Sequence, residues 1–197
     1  DLDYTVKKNI SNLSDYLNKK PENLTACILD RPRHKEIIEE LKNLKVNLKL
    51  ITDGDVSGAL LVTDDKYNVD IFLGTGGGPE GVLAAAALDA FNCNFQGRFL
   101  FETDLDISRA KKMGIKYINK KYEINEIIKG DSIFCATGIT DGDLVKGVKI
   151  KDNTYYTETL VTHKNLSNNI IINKLPCPWL LTIYTIKDAI LVPSSIG

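Results

Sequence analysis

An α/β fold is predicted by three features of this 197-residue chain. The first two-thirds alternates short apolar runs with amphipathic stretches. One apolar run ends in a glycine-rich segment, Gly74-Thr75-Gly76-Gly77-Gly78-Pro79-Glu80-Gly81, that leads into a helix. From Asp131 onward the alternation gives way to hairpin signals. Strands interleaved with helices imply a mainly parallel sheet covered on both faces. The expected architecture is therefore three-layered, with helices on both faces of the sheet and an antiparallel hairpin portion near the C-terminus. No internal repeat or low-complexity linker divides the chain, so a single domain over residues 1–197 is expected.

The elements follow in order. Thr5 to Leu17 carries Val6, Ile10, Leu13 and Leu17 at helical spacing. Leu24 to Leu29 reads as a strand, and Lys35 to Leu44 as a helix with Ile37, Ile38, Leu41 and Leu44 on one face. Val46 to Ile51 is the next strand, Val56 to Leu61 a short helix, and Val69 to Leu73 a buried strand before the glycine segment. Val82 to Leu88 is a helix; Arg98 to Phe101 and Tyr117-Ile118 are weaker extended segments. Ile107 to Met113 and Ile124 to Lys129 read as short helices. Ser132 to Ala136 is a strand, and Val148 to Thr157 a hairpin turning at Asp152-Asn153, with Leu160 to His163 and Ile170 to Ile172 extending it.

Composition narrows the function classes. A hydrophobic content of 43% and a charged content of 26% are those of an ordinary soluble protein. A net charge of −1 supplies no footprint for nucleic acid or an anionic membrane. No apolar window reaches membrane-spanning length, and the opening Asp1-Leu2-Asp3-Tyr4 is no signal peptide. Four widely spaced cysteines without a C-x-x-C pair point to a reduced, cytoplasmic setting. With only His34 and His163, a zinc site of the usual kind is not expected.

The glycine-rich segment carries the most chemistry. A strand, a glycine turn and a helix N-terminus form an anion site, because backbone N–H groups and the helix dipole converge there. The segment is not a Rossmann fingerprint, which needs a small residue where Pro79 stands, nor a Walker loop, since Val82 rather than Lys follows Gly81. Glu80 places a carboxylate beside this turn, and two anions in one place suggest a bridging cation. The competing reading is a plain strand-to-helix turn.

Two further loops follow strands. Arg31-Pro32-Arg33-His34 holds two of the four arginines among 25 basic residues. Arginine grips phosphate bidentately where lysine is a point charge; the alternative is a solvated turn that caps the next helix. Asp53-Gly54-Asp55 offers carboxylates for sugar hydroxyls or a metal, or else Asp55 is an N-cap. Asp141-Gly142-Asp143 invites the same choice with the turn favoured, and Thr157-Glu158-Thr159 reads as a polar strand face. His34 is as consistent with packing or hydrogen bonding as with catalysis. In an open α/β sheet the loops at Arg31–Arg33, Asp53–Asp55 and Gly76–Glu80 gather along one edge. Together they suit a phosphorylated sugar or polyol, and without a paired Ser or Cys nucleophile, metal-assisted attack by water is favoured.

These stretches resemble class II fructose-1,6-bisphosphatase, of the lithium-sensitive, metal-dependent sugar and inositol phosphatase superfamily. The matching segments are Asp30 to His34, Asp53 to Val56, Gly74 to Ala87, Gln96 to Leu100, Ala136 to Leu144 and Thr157 to Leu160, in the family's order. The resemblance implies hydrolysis of the 1-phosphate of fructose 1,6-bisphosphate, a gluconeogenic step, with Mg²⁺ or Mn²⁺. It implies substrate binding by Arg31, Pro32, Arg33, Asp53, Gly54, Asp55 and the Gly77 backbone, with Glu80 as metal ligand and the chain's catalytic residue. The family's upstream Asp-x-x-Asp-Gly-Thr motif does not occur here, so the chain resembles the C-terminal half of such an enzyme. One carboxylate cannot hold a catalytic metal, so the chain alone is expected to bind substrate weakly and to hydrolyse almost nothing. The upstream half is the expected partner, in a homo-oligomer. Rival readings are a non-catalytic phosphosugar-binding module, or a phosphatase for sedoheptulose bisphosphate or another polyol phosphate. The tail from Leu175 is more apolar than the family pattern, as an added packing element or an interface cover would be.

Overall fold

The computed structural model describes residues 1–165 and 169–176. They fall into two compact units, one of Asp1–Phe134 with the return segment from Thr162, the other of Cys135–Val161 with the segment from Asn168.

The first unit is built on a parallel sheet of β1 (Thr25–Leu29), β2 (Asn47–Ile51) and β3 (Ile71–Phe72), in the order β2-β1-β3. Thr25 pairs with Asn47 and Leu29 with Ile51, while Ala26 and Cys27 pair with Ile71 and Phe72. Helices cover both faces. Side chains alternate along a strand, so Ala26, Leu48 and Ile71 face one cluster and Cys27, Ile51 and Phe72 the other. The first cluster is closed by α1 (Val6–Leu17) and α2 (Lys35–Asn43), whose Ile10 and Leu41 are fully buried. All four apolar residues of the predicted α1 face, Val6, Ile10, Leu13 and Leu17, enter it. The helix starts where Thr5 accepts a hydrogen bond from the Lys8 amide and stops at Asn18, left-handed at φ 51°. The second cluster is closed by Leu61 and Val62, just after α3 (Asp55–Leu60). These are the α/β layers expected from the alternation.

Three predicted elements shift for identifiable reasons. The strand expected over Val69–Leu73 is confined to Ile71–Phe72. Asp70 turns its carboxylate to the Thr25 amide at 2.8 Å and to Lys19 at 2.7 Å. The helix expected from Val82 begins at Gly78, giving α4 (Gly78–Asp89). Pro79 lies in its first turn, as expected of a proline whose missing N–H costs nothing there, and the turn also takes in Gly78 and Glu80. Tyr117-Ile118 is not a strand. The extended pair is β4 (Gln96–Arg98) with β5 (Lys121–Glu123), antiparallel. Its members are polar and joined by cross-strand side chains such as Gln96 to Glu123 at 2.8 Å, which hydrophobic periodicity does not register. Between them lies α5 (Asp104–Lys112), and α6 (Ile124–Ile127) follows β5.

The N-terminal segment is tied to this pair. Arg98 and Lys121 both donate to Asp3, and Lys121 also reaches Asp1 at 2.7 Å. The Arg98 hydrogen bond, then that of Lys121, lowers the Asp3 carboxyl to about 2. A carboxyl lowered in the folded state adds stability above its unfolded value, and that stability is lost as pH falls through the folded one. Asp3→Asn is therefore expected to lower Tm slightly at neutral pH, the gap to wild type closing between pH 4 and pH 2. A thermal melt series over that range checks it.

The second unit is antiparallel. In the sheet β6 (Ile133–Thr137), β7 (Lys149–Lys151), β8 (Thr154–His163) and β9 (Asn169–Pro176), β8 pairs with each of the other three. Asp152 and Asn153 both take positive φ, 50° and 55°, as a two-residue turn matching the strand twist demands. The two extended segments expected from 154 to 163 are one ten-residue strand. Asp141-Gly142-Asp143 is a turn: Asp141 accepts the Gly147 amide at 2.9 Å, and the Gly142 amide donates to Val145 O. Glu158 is more than a polar strand face, since its carboxylate accepts the Lys146 amide at 2.8 Å. The predicted apolar tail, beyond Pro176, lies outside the described residues.

Candidate functional site

Parallel pairing with β1 in the middle brings the three loops at the strands' carboxyl ends to one edge of the sheet. The chain leaves β1 for α2 and returns on one side as β2, then crosses by α3 to the other side as β3. Ligands of open α/β sheets sit where the connections diverge in this way. The β1, β2 and β3 loops are Asp30–His34, Thr52–Gly54 and Leu73–Gly77, all within the first unit.

In the β3 loop, Gly77 is the extended N-cap of α4 (φ −69°, ψ 147°), and no side chain caps the helix. The first amides of a helix lack acceptors within it, so this end of a twelve-residue helix presents N–H donors. Glu80, in the first turn and exposed, folds back over the cap: a Cβ at Gly77 would sit 2.1 Å from Glu80 Oε2. A Cβ at Gly76 would lie 2.8 Å from Asp55 Oδ2, so the β2 loop reaches the same turn. Glycine at both positions leaves room for these carboxylates and for a ligand against the backbone.

The β1 loop reaches it too. Pro32–His34 forms one 3₁₀ turn leading into α2. Arg33 donates through Nε to Thr75 O at 2.7 Å, one of its five donors. His34 is completely buried, with Nδ1 2.7 Å from Leu29 O and Nε2 accepting the Thr75 amide at 2.9 Å. Neither residue caps α2 with its side chain.

Of the residues singled out in the sequence, Arg33, Asp55, Gly77 and Glu80 thus converge on the glycine turn. Pro32 starts the 3₁₀ turn, and Gly54 supplies the left-handed step (φ 80°) that begins α3. Asp55 is the first residue of α3 rather than its cap. Among the described residues Arg31 reaches only Asp30 O, at 3.5 Å, and Asp53 turns to the Gly54 amide. Thr75 escaped sequence reasoning because its backbone, not its side chain, does the joining.

The chemistry open to this edge is anion binding by amides and guanidinium, with carboxylates alongside. Among the described residues no three His, Cys, Asp or Glu side chains stand close enough together to hold a metal ion. The residues fit one corner of a metal site, Glu80, and not a whole one. No helix among the described residues is long and apolar enough to cross a membrane.

The family described as bacterial fructose-1,6-bisphosphatase, glpX-encoded, matches residues 1–174. The chain is 35% identical over 174 residues to the D-fructose 1,6-bisphosphatase class 2/sedoheptulose 1,7-bisphosphatase of Synechocystis sp. (strain ATCC 27184 / PCC 6803 / Kazusa), covering 82% of this chain and 50% of that protein. It is 34% identical over 175 residues to the fructose-1,6-bisphosphatase class 2 of Haemophilus influenzae (strain ATCC 51907 / DSM 11121 / KW20 / Rd), covering 82% and 52%. The chain spans about half the length of the curated relatives it matches. With that family matching residues 1–174, the chain belongs to the glpX-encoded bacterial fructose-1,6-bisphosphatase family.

Proposed function

We propose that this chain is the C-terminal, substrate-gripping half of a cytoplasmic, metal-dependent phosphatase that hydrolyses the 1-phosphate of fructose 1,6-bisphosphate. The observation that carries the reading is the convergence of Arg33, Asp55 and Glu80 on the glycine turn at the α4 N-terminus. The amides of that turn and the Arg33 guanidinium bind phosphate, Arg31 adds a second guanidinium, and Asp53 and Asp55 accept hydrogen bonds from sugar hydroxyls. Glu80 is one ligand for Mg²⁺ or Mn²⁺, and the remaining ligands come from the half of the enzyme outside this chain. When bound, such an ion polarises the phosphoryl group and makes a water more acidic. In the net reaction a water oxygen bonds to phosphorus, the phosphorus–O1 ester bond breaks, and O1 takes up a proton.

The enzyme is a homo-oligomer in this reading, and the two units of the chain belong to one domain, as β8 passes from one to the other without a break. The name of the Synechocystis relative adds sedoheptulose 1,7-bisphosphate as a candidate second substrate. The absence of a three-ligand cluster among the described residues favours a second reading, a phosphosugar-binding module without turnover.

The test is phosphate release from fructose 1,6-bisphosphate with Mn²⁺. The chain is assayed alone and with the half of the Synechocystis relative that it does not match. Release in the mixture only is expected. Binding without release in either assay would replace the phosphatase with the module, and faster release from the seven-carbon sugar would change the substrate.

A further inference from the structure

His34 is a side chain at this edge that the proposed chemistry does not use, although it is entirely buried between two of the loops. Its hydrogen bonds define its state. A carbonyl oxygen only accepts, so the ring proton is on Nδ1, donated to Leu29 O at 2.7 Å. An amide only donates, so Nε2 accepts from Thr75 N–H at 2.9 Å. The Thr75 carbonyl, 3.1 Å from Nε2, is served instead by Arg33 Nε at 2.7 Å. Both backbone groups of Thr75 are thereby claimed by consecutive residues of the other loop. The ring lies against Gly74, where a Cβ would make ordinary van der Waals contact, 3.4 Å from Cε1 and 3.5 Å from Nε2.

We propose that His34 is a positioning residue that clamps the glycine turn through the Thr75 backbone and sets the spacing between that turn and the Arg33 guanidinium. The inference rests on the reading of the turn as the phosphate site. The anchor is rigid at its far end, since Leu29 closes the central strand β1. An imidazole held at both nitrogens has one orientation, so the turn is fixed relative to the sheet before ligand arrives. Glycines alone would leave it free to sample other conformations. A preformed turn spends less binding energy on ordering.

The experiment uses the full ¹⁵N-labelled chain as wild type, His34→Phe and His34→Gln. Phe keeps the ring volume and loses both hydrogen bonds; Gln restores a donor and an acceptor. Amide exchange without ligand and titration with fructose 1,6-bisphosphate are both measured. In His34→Phe the Thr75 amide is expected to exchange about tenfold faster or more, Ile28 and Leu41 keeping wild-type protection. Sugar phosphate is expected to bind about tenfold more weakly, with His34→Gln recovering most of both losses. Unchanged Thr75 exchange in His34→Phe, or an equal loss at Ile28 and Leu41, overturns the clamp while leaving the phosphate reading intact. Selective Thr75 exposure with no sugar phosphate bound even by wild type supports the clamp and removes the phosphate site. Should His34→Phe not fold, the wild-type imidazole ¹⁵N spectrum decides. An Nδ1–H tautomer with a hydrogen-bond coupling from the Thr75 amide to Nε2 supports the clamp, and an Nε2–H tautomer overturns it.

Discussion

Glu80→Gln is expected to reduce turnover of the assembled phosphatase at least about a hundredfold while leaving the fold in place. The side chain is exposed on the first turn of α4, so its contribution to stability is confined to the helix dipole, about 0.3–1 kcal/mol. Its effect on ligand should reverse with metal. Without metal, a carboxylate beside an anion site repels phosphate, so Glu80→Gln should bind fructose 1,6-bisphosphate more tightly than wild type. With Mn²⁺ the wild-type carboxylate would help to hold the ion, and the variant should lose the metal-dependent gain. Gly77→Ala should reproduce the activity loss without touching Glu80 itself. The new Cβ would stand 2.1 Å from Oε2 and 3.1 Å from Cδ, so the carboxylate must swing away. Because the displaced atoms are the end of an exposed side chain, stability should change little. Steady-state kinetics with and without Mn²⁺, together with calorimetric binding, measure both variants. Turnover within tenfold of wild type for Glu80→Gln would remove it as a ligand.

Gly138→Ala is expected to be strongly destabilising in the antiparallel unit, costing about 3 kcal/mol or more. A Cβ at Gly138 would lie 2.2 Å from Lys146 O and 2.8 Å from Lys146 C, backbone atoms that cannot rotate aside. The neighbourhood is already pinned: the Gly138 amide donates to Glu158 O and the Lys146 amide to the Glu158 carboxylate. Moving the Lys146–Gly147 peptide group to admit the methyl would disturb the hydrogen bond its N–H makes to the Asp141 carboxylate at 2.9 Å. Gly130→Ala is the control, since a Cβ there meets nothing within 4 Å. Urea unfolding monitored on the tyrosines Tyr155 and Tyr156 of β8 reads the difference. A loss below 1 kcal/mol would mean that the loop yields, and the packing argument would fail.

The first unit was legible wherever periodicity reports burial. Val6, Ile10, Leu13 and Leu17 mark α1 because one apolar stripe is all that a surface helix shows, and the four apolar residues around Cys27 mark a strand buried on both faces. Legibility failed where polar side chains do the structural work. The β4–β5 pair is held by Gln96, Glu123, Arg98 and Lys121 rather than by an apolar pattern. The start of α4 was misread because glycine and proline mark turns and first helical turns alike.

At the carboxyl edge of the sheet, residue types and their placement after strands were enough to single out the three loops that the parallel pairing brings together, with Glu80 beside one of them. That identity was the sequence's own determination, together with the α/β class and the core of α1, α2 and β1. Which arginine meets the turn was decided only by the tertiary structure. Arg31 and Arg33 are two residues apart, yet Arg33 is tied to Thr75 and Arg31 to its own loop. The 3₁₀ turn at Pro32–His34 and the β1–β3 pairing fix the directions in which they leave the backbone. So too with His34: its hydrogen bond from the Thr75 amide arises only when loops some forty residues apart in the chain are brought together by parallel pairing. Backbone amides and carbonyls have no sequence signature, and it is through those of Leu29 and Thr75 that the site is assembled.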